Sequence, residues 1–125
     1  MAEGIEKRFQ AEVEKLKALH AELSKSVQAV QKLESQMQEN KSVQEEMELL
    51  GSDAVIYKLE GPVLVKQDTA EALQNVGKRI GYIKEESKRH ETQIKDLEKK
   101  REELQSALAR LQQQFQQAQV KAAAR

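Results

Sequence analysis

The sequence predicts a mainly α protein, in which two long helices pair as an antiparallel coiled coil and are joined by a single β-hairpin. Three observations support this fold class. Apolar residues recur at alternating intervals of three and four before residue 50 and again after Asp68, which is the spacing of a coiled coil. Residues 54–67 instead alternate with the period of two that is typical of strands. Aromatic residues make up 3% and charged residues 34% of the chain, a balance typical of long exposed helices.

The first helix is predicted over residues 3–50. Nothing in it is expected to break a helix before Gly51, which occupies the position of a C-terminal capping glycine. We call the residues that face the partner helix the seam. In the first helix the predicted seam consists of Phe9, Val13, Leu16, His20, Leu23, Val27, Val30, Leu33, Met37 and Asn40.

The second helix is predicted over residues 69–120, followed by a tail at 121–125. Asp68 is expected to be its N-cap, and Glu71 three residues later completes a capping-box pattern. The seam of this helix keeps an unbroken alternation of three and four residues. It consists of Leu73, Val76, Ile80, Ile83, Ser87, His90, Ile94, Leu97, Arg101, Leu104, Leu108, Leu111, Phe115 and Ala118.

The two helices are predicted to pair with each other within a single domain of residues 1–125. In an antiparallel pair, the numbers of facing seam residues add up to a constant. Phe9 with Leu111 gives 120, and the other pairs give 120 or 121. This register places His20 and Arg101, both polar, in the same layer. Residues 1–50 include ten acidic and seven basic residues, and residues 69–125 include eight acidic and twelve basic ones. The two helical regions therefore have net charges of opposite sign, which also favours their pairing.

Residues 54–67 are predicted to form a hairpin that turns at Glu60-Gly61-Pro62. Val55, Tyr57, Val63 and Val65 are expected on one face, and Ile56 and Leu64 on the other. Two strands alone are marginally stable and leave both edges unpaired, so the hairpins of several subunits are expected to close into an oligomeric β-barrel. The residues expected to make these subunit contacts are Val55, Tyr57, Leu59, Val63, Leu64 and Val65.

Composition and motifs argue against several function classes. The net charge is zero and the basic residues are not concentrated on one face, unlike those of a nucleic-acid-binding protein. Neither His20 nor His90 has further ligands at metal spacing. There is no P-loop, GxGxxG or GxSxG motif. We therefore expect no enzyme activity, no metal and no cofactor.

The expected location is the cytoplasm. The chain has no cysteine, so it can form neither a disulfide framework nor a thiolate metal site. Its first residues, MAEGIEKRF, lack the apolar stretch of a secretory signal. No run approaches the roughly 18 apolar residues that span a bilayer, so no membrane partner is expected.

Three blocks of sequence resemble the prefoldin family, and in particular its β-type subunits. They are QKLESQMQENKSVQEEMELL at 31–50, VIYKLEGPVLVKQD at 55–68 and EALQNVGKRIGYI at 71–83. The resemblance covers essentially the whole chain, and YKLEGPVLVKQ between two such helices is its most specific part. A single hairpin, not two, resembles the β-type and not the α-type subunit. Gly77 and Gly81 interrupt the start of the second helix, and a close backbone approach beneath the barrel would account for them.

This resemblance implies a heterohexamer of two α-type and four β-type subunits. The partners of this chain would then be two α-type and three further β-type subunits, with all the hairpins forming a platform from which coiled-coil arms project. It also implies an ATP-independent cochaperone. Such a complex captures non-native polypeptides, actin and tubulin above all, and delivers them to the cytosolic group II chaperonin.

Client binding is expected at the free ends of the two helices, because a chaperone of this kind needs exposed apolar groups. The predicted register brings together Ile5, Phe9, Leu111, Phe115 and Val120. We hypothesise that these residues contact the client. The alternative is that Phe9 and Phe115 only close the last layers of the seam.

Two other functions compete with this interpretation. A structural coiled-coil tether, whose hairpin only reverses the chain, predicts a monomer or dimer with no affinity for unfolded protein. A helical arm that grips RNA predicts a basic stripe, which the sequence lacks.

Overall fold

The computed structural model describes residues 2–51 and 53–124 and consists of two long helices and a two-stranded antiparallel hairpin. The elements are α1 (Ala2–Leu49), β1 (Ile56–Glu60), β2 (Val63–Gln67) and α2 (Thr69–Ala123). The predicted fold class, with long helices on both sides of one hairpin, is confirmed. α1 ends one residue earlier than predicted, and α2 continues three residues into the segment expected to be a tail.

Contacts within the chain define two compact units. The terminal unit comprises the described residues up to Gln28 and from Glu91 onward, and the hairpin unit comprises those of Ala29–His90. Each unit contains a stretch of α1 and a stretch of α2, and its core is the layer of seam side chains. The buried apolar residues are Leu19, Leu97 and Leu111 in the terminal unit and Ala72, Val76, Ile80 and Ile83 in the hairpin unit.

The seam of α1 in the terminal unit differs from the predicted one at two positions. Leu19 and Ser26 are only 8% and 5% exposed, whereas His20 and Val27 are exposed. With Leu19 and Ser26 the intervals alternate between three and four without interruption from Leu16 to Asn40, so the geometry of the repeat outweighs the polarity of one serine. The predicted layer of His20 with Arg101 is therefore wrong, because His20 is exposed while Arg101 is half-buried.

The antiparallel register predicted for the terminal unit agrees with the side chains that share a groove there. Lys15, Ala18, Leu19 and Glu22 of α1 line it together with Leu97, Lys100, Glu103 and Leu104 of α2. Residues 15–22 therefore run alongside residues 97–104 in opposite directions. This is the alignment predicted by pairing Leu16 with Leu104 and Leu23 with Leu97.

The α1 seam in the hairpin unit is as predicted but longer. Val30, Leu33, Met37 and Asn40 are half-buried, and so are Gln44 and Met47. The polar seam residue Asn40 donates a hydrogen bond of 2.7 Å from Nδ2 to the carbonyl oxygen of Gln36. Its amide is thus satisfied within its own helix, which lowers the cost of placing it in the seam.

The seam of α2 is confirmed throughout. All fourteen predicted residues are buried or half-buried. The helix begins where expected, because Asp68 Oδ2 accepts a hydrogen bond of 3.4 Å from the backbone N–H of Glu71. The Asp68 carbonyl accepts the first helical hydrogen bond, 2.9 Å from the N–H of Ala72. Asp68 is therefore the N-cap.

The end of α1 and the hairpin turn use glycine differently from the prediction. Among the described residues only Gly61 has a positive φ, 59°, so Gly51 is not a left-handed capping glycine. α1 instead ends with a tightened turn, in which the N–H of Leu50 donates to the carbonyl of Met47 at 3.3 Å. Positive φ at Gly61 followed by Pro62, which must have negative φ, defines a type II′ two-residue turn.

One seam residue, His90, has a buried polar atom without a partner among the described residues. Its Nδ1 atom is buried and makes no hydrogen bond there. Its Nε2 atom lies 3.9 Å from Glu86 Oε2, an oxygen that already accepts a hydrogen bond of 2.7 Å from Arg89. A buried unsatisfied polar group costs about 1–3 kcal/mol, so His90 weakens the seam.

Replacing His90 with leucine is expected to raise the free energy of unfolding by about 1–2 kcal/mol, because the change removes the unsatisfied atom and keeps the seam filled. Urea unfolding followed by helical circular dichroism measures this gain. His20→Leu is the matched control, since His20 is exposed, and it should change stability by less than about 0.5 kcal/mol. A loss of stability in His90→Leu would contradict the prediction.

Gly77 and Gly81 lie at exposed positions of α2. A Cβ atom added at either one would meet no atom within 4 Å. The described chain therefore makes no close approach to these glycines, and such an approach requires another subunit.

The double substitution Gly77→Ala and Gly81→Ala is expected to raise the free energy of unfolding of the single chain by about 1–2 kcal/mol, because alanine is the better helix former at both sites. Thermal unfolding of the purified chain measures the effect. Gly61→Ala serves as the opposite control, since its φ of 59° favours glycine, and it should destabilise the hairpin. A lower melting temperature for the alanine pair would refute the prediction.

Candidate assembly and client-binding surfaces

The register of the hairpin fixes which of its side chains share a face, because directly paired residues project to the same side. One face carries Tyr57, Leu59, Leu64 and Lys66. The other face carries Ile56, Lys58, Glu60, Val63, Val65 and Gln67. The predicted faces are therefore wrong: Leu64 lies beside Leu59 and on the face of Tyr57. The two-residue turn pairs Glu60 with Val63, whereas the prediction placed three residues in the turn.

All six residues predicted to make subunit contacts are exposed in the single chain. Their exposed fractions range from 43% for Val65 to 69% for Leu59. Because these side chains occupy both faces, covering one face would leave the other in water. Exposed apolar clusters of this kind mark interaction surfaces, and the two outer strand edges offer backbone groups for pairing.

The hairpin unit has further exposed apolar residues that sequence reasoning did not single out. Leu49, at the end of α1, is 85% exposed, and Tyr82 of α2 is 64% exposed. Both lie outside the seam. A large apolar residue at a position off the seam is the sequence signal that would have identified them.

The terminal unit contains a pocket of about 290 Å³, which we call the terminal pocket. It is lined by Ile5, Glu6, Phe9, Gln112 and Phe115. The structure thus brings together three of the five residues predicted to bind client, from both helices. Glu6 and Gln112 were not predicted because neither is apolar. Their positions in the sequence were a usable signal, since Gln112 follows the seam residue Leu111 and Glu6 lies three residues before the seam residue Phe9.

The other two predicted client-binding residues lie elsewhere. Leu111 is buried, at 7% exposure, and belongs to the core of the terminal unit. Val120 is 68% exposed and does not line the pocket. Phe9 and Phe115 are half-buried, so each contributes to the seam and also presents part of its ring to the pocket.

Within the described residues, no cluster of three or more histidine, aspartate or glutamate side chains is arranged to hold a metal ion. None of the helices in that part of the chain is both long and apolar enough to cross a membrane. Glu86 raises the pKa of Arg89, mainly through its hydrogen bond and further through its charge. The two residues form an ion pair on α2 in which Arg89 is exposed and Glu86 is half-buried.

Two seam-paired helices joined by one exposed hairpin define the class of protein, a single-hairpin antiparallel coiled coil. The chain matches the family described as prefoldin subunit over residues 10–118. It belongs to this family, as the sequence resemblance implied.

Individual relatives show which prefoldin subunits the chain is similar to. It is 53% identical over 119 residues to prefoldin subunit 6 of Mus musculus, covering 95% of this chain and 94% of the relative. Prefoldin subunit 6 of Homo sapiens is also 53% identical over 119 residues, with 95% of this chain and 92% of the relative covered. The chain is therefore similar to prefoldin subunit 6 over nearly its whole length.

A solved structure supports the same assignment. The prefoldin beta subunit from Thermococcus strain KS-1 superposes with a TM-score of 0.56 at 29% sequence identity. The match covers 89% of this chain and 91% of the archaeal chain. The chain is therefore similar to a β-type subunit in fold as well as in sequence.

Proposed function

We propose that this chain is one subunit of a heterohexameric prefoldin, assembled with two α-type and three further β-type subunits. The observation that carries the proposal is the exposed hairpin, which has apolar side chains on both faces and, within the described part of the chain, no strand paired at either outer edge. Pairing with hairpins of other subunits buries both faces and satisfies the edge backbone groups. Membership of the prefoldin subunit family supports the same assembly.

The complex binds non-native polypeptides, with actin and tubulin as the proposed clients, and delivers them to the cytosolic group II chaperonin. Client capture by this subunit takes place at the terminal pocket, where Ile5, Phe9 and Phe115 are in reach of solvent. Val120 adds exposed apolar surface on the same helix. Leu111 supports the pocket from within the core and does not contact the client.

The chaperone works in the cytoplasm, without ATP and without catalysing a reaction. The terminal pocket has one ionisable lining residue, Glu6, and acid–base chemistry usually relies on a second group whose pKa is shifted by burial. Capture by exposed apolar surface needs no nucleotide, because it depends on burial of apolar area.

Native mass spectrometry of the complex purified through this chain tests the assembly. We expect a hexamer in which this subunit occurs with five companions, two of which are α-type. A structural tether instead predicts a monomer or a dimer that does not suppress aggregation of unfolded actin. A stable monomer in the presence of the other five subunits would refute the proposed assembly.

A further inference from the structure

The part of α2 that borders the terminal pocket is unusually free of charge. No charged residue occurs between Arg110 and Lys121, and this is the longest uncharged run in the sequence. Six of the nine residues from Gln112 to Val120 are glutamines, and all six are exposed. Since 34% of the whole chain is charged, these exposed positions depart from the composition of the other helical surfaces.

Three of these glutamines lie on the same side of α2 as the pocket. Gln112, Gln116 and Gln119 are separated by four and three residues, which aligns them along one face of a helix. Gln112 lines the terminal pocket, so this glutamine face continues the rim of the pocket toward the end of α2.

Helix stability does not account for the glutamine face. Glutamine, glutamate, lysine and arginine have similar helix propensities. Oppositely charged residues four apart would add stability, and lysine or arginine near the C-terminal end of a helix would be favourable. Charged residues would therefore stabilise this helix at least as well as glutamines do. We attribute the glutamines to a molecule that binds this surface.

We propose, on the basis of the proposed client capture, that the glutamine face binds the backbone of a non-native polypeptide next to an apolar side chain held in the terminal pocket. The pocket, at about 290 Å³, lies below the roughly 300–1,000 Å³ range of small-molecule sites. It suits one large side chain. Each glutamine amide offers two donors and an acceptor, which match the free N–H and C=O groups of an extended chain.

The absence of charge has a direct consequence for which clients are captured. A charged rim would attract clients of one sign and repel those of the other, over a distance of about 8 Å at physiological ionic strength. Only one of the five residues lining the pocket, Glu6, is charged. Because the glutamine face beside the pocket is uncharged, the affinity for a client should depend little on the net charge of that client.

The test uses the assembled complex with a photo-crosslinking residue in place of Gln112, which lines the terminal pocket. Crosslinking yield to this chain then reports on this pocket and not on the other subunits. Two unfolded peptides with the same apolar residues serve as probes, one strongly basic and one strongly acidic. Each is titrated at low and at high salt.

We expect the two peptides to crosslink with apparent affinities within about twofold of each other, with little dependence on salt. Gln116→Glu with Gln119→Glu should shift the preference about threefold to tenfold toward the basic peptide at low salt, and the lysine pair should reverse it. High salt should abolish both shifts. The matched control places the same charges at Gln93 and Gln105, which are exposed on α2 away from the pocket, and should leave the preference unchanged.

A strong preference of the unaltered complex for one peptide would overturn the inference, and so would variants at Gln116 and Gln119 that behave like the control. Neither result would affect client capture itself. Failure of both peptides to crosslink to the unaltered chain, while the complex stays intact, would instead refute the proposed client-binding site. The two failures are thus distinguishable.

Discussion

Replacing Leu64 with glutamate is expected to release this chain from its complex as a separate soluble subunit. Leu64 is 64% exposed in the single chain and pairs directly with Leu59. These leucines, together with Tyr57, make up the apolar part of one hairpin face. A carboxylate in the middle of that face would have to be buried without a partner on assembly.

The expected effect is large because burial of an unpaired charge is among the costliest single changes. Removing one partner of a buried charge pair costs about 3–5 kcal/mol, and we expect a comparable penalty here. A loss of that size weakens association by roughly two to four orders of magnitude. Size-exclusion chromatography at micromolar concentration should then show the variant eluting apart from the other subunits, with its helical circular dichroism retained.

Lys66→Glu is the matched control for this experiment. Lys66 lies on the same hairpin face as Leu64 and pairs with Tyr57. The control reverses a charge on that face but removes no apolar side chain, so we expect assembly to persist. A Leu64→Glu variant that still elutes as a hexamer would show that this face is not buried between subunits.

Periodicity alone was sufficient to predict the whole seam of α2, where every seam position is confirmed. In α1 it was less reliable, because at two positions a neighbour of the predicted residue is buried instead, Leu19 for His20 and Ser26 for Val27. Val27 is more apolar than Ser26, yet Ser26 is buried and Val27 is exposed. A regular alternation of three and four residues keeps the side chains against the partner helix, so the interval is a better guide than the hydropathy of one residue.

The hairpin shows a different limit of sequence reasoning. Its two strands and its turn were predictable from β-branched residues around Gly61-Pro62. The faces were not, because they depend on how many residues the turn contains. Adding one residue to the turn moves every side chain of one strand to the other face, and only the pairing of Glu60 with Val63 settles the count.

The terminal pocket was predictable in its apolar part only. Register and hydropathy together identified Ile5, Phe9 and Phe115, which line the pocket. Leu111 was included because it faces the same end of the seam, but a seam leucine covered by neighbouring side chains on the partner helix becomes buried. Sequence periodicity says which side of a helix a residue occupies, and it does not say how much of that side chain water can reach.

Replacing Phe9 and Phe115 together with serine is expected to impair client capture while leaving the complex assembled. The two rings form the aromatic part of the terminal pocket, and large aromatic side chains dominate the energetics of binding surfaces. In the proposed complex several subunits bind the client together, so loss of one site should raise the amount needed for half-suppression of actin aggregation by roughly threefold to tenfold. Light scattering of diluted unfolded actin measures this amount.

Both phenylalanines are also half-buried seam residues, so a loss of activity has to be separated from a loss of helix pairing. Leu104→Ser provides the separation. Leu104 is a half-buried seam residue of the terminal unit that does not line the terminal pocket. The Leu104→Ser variant should have a lower melting temperature of the coiled coil. At temperatures where it is folded, it should suppress actin aggregation as well as the unaltered complex does. If the double serine variant suppressed aggregation as well as the unaltered complex, Phe9 and Phe115 would serve only to close the seam, and client would bind elsewhere.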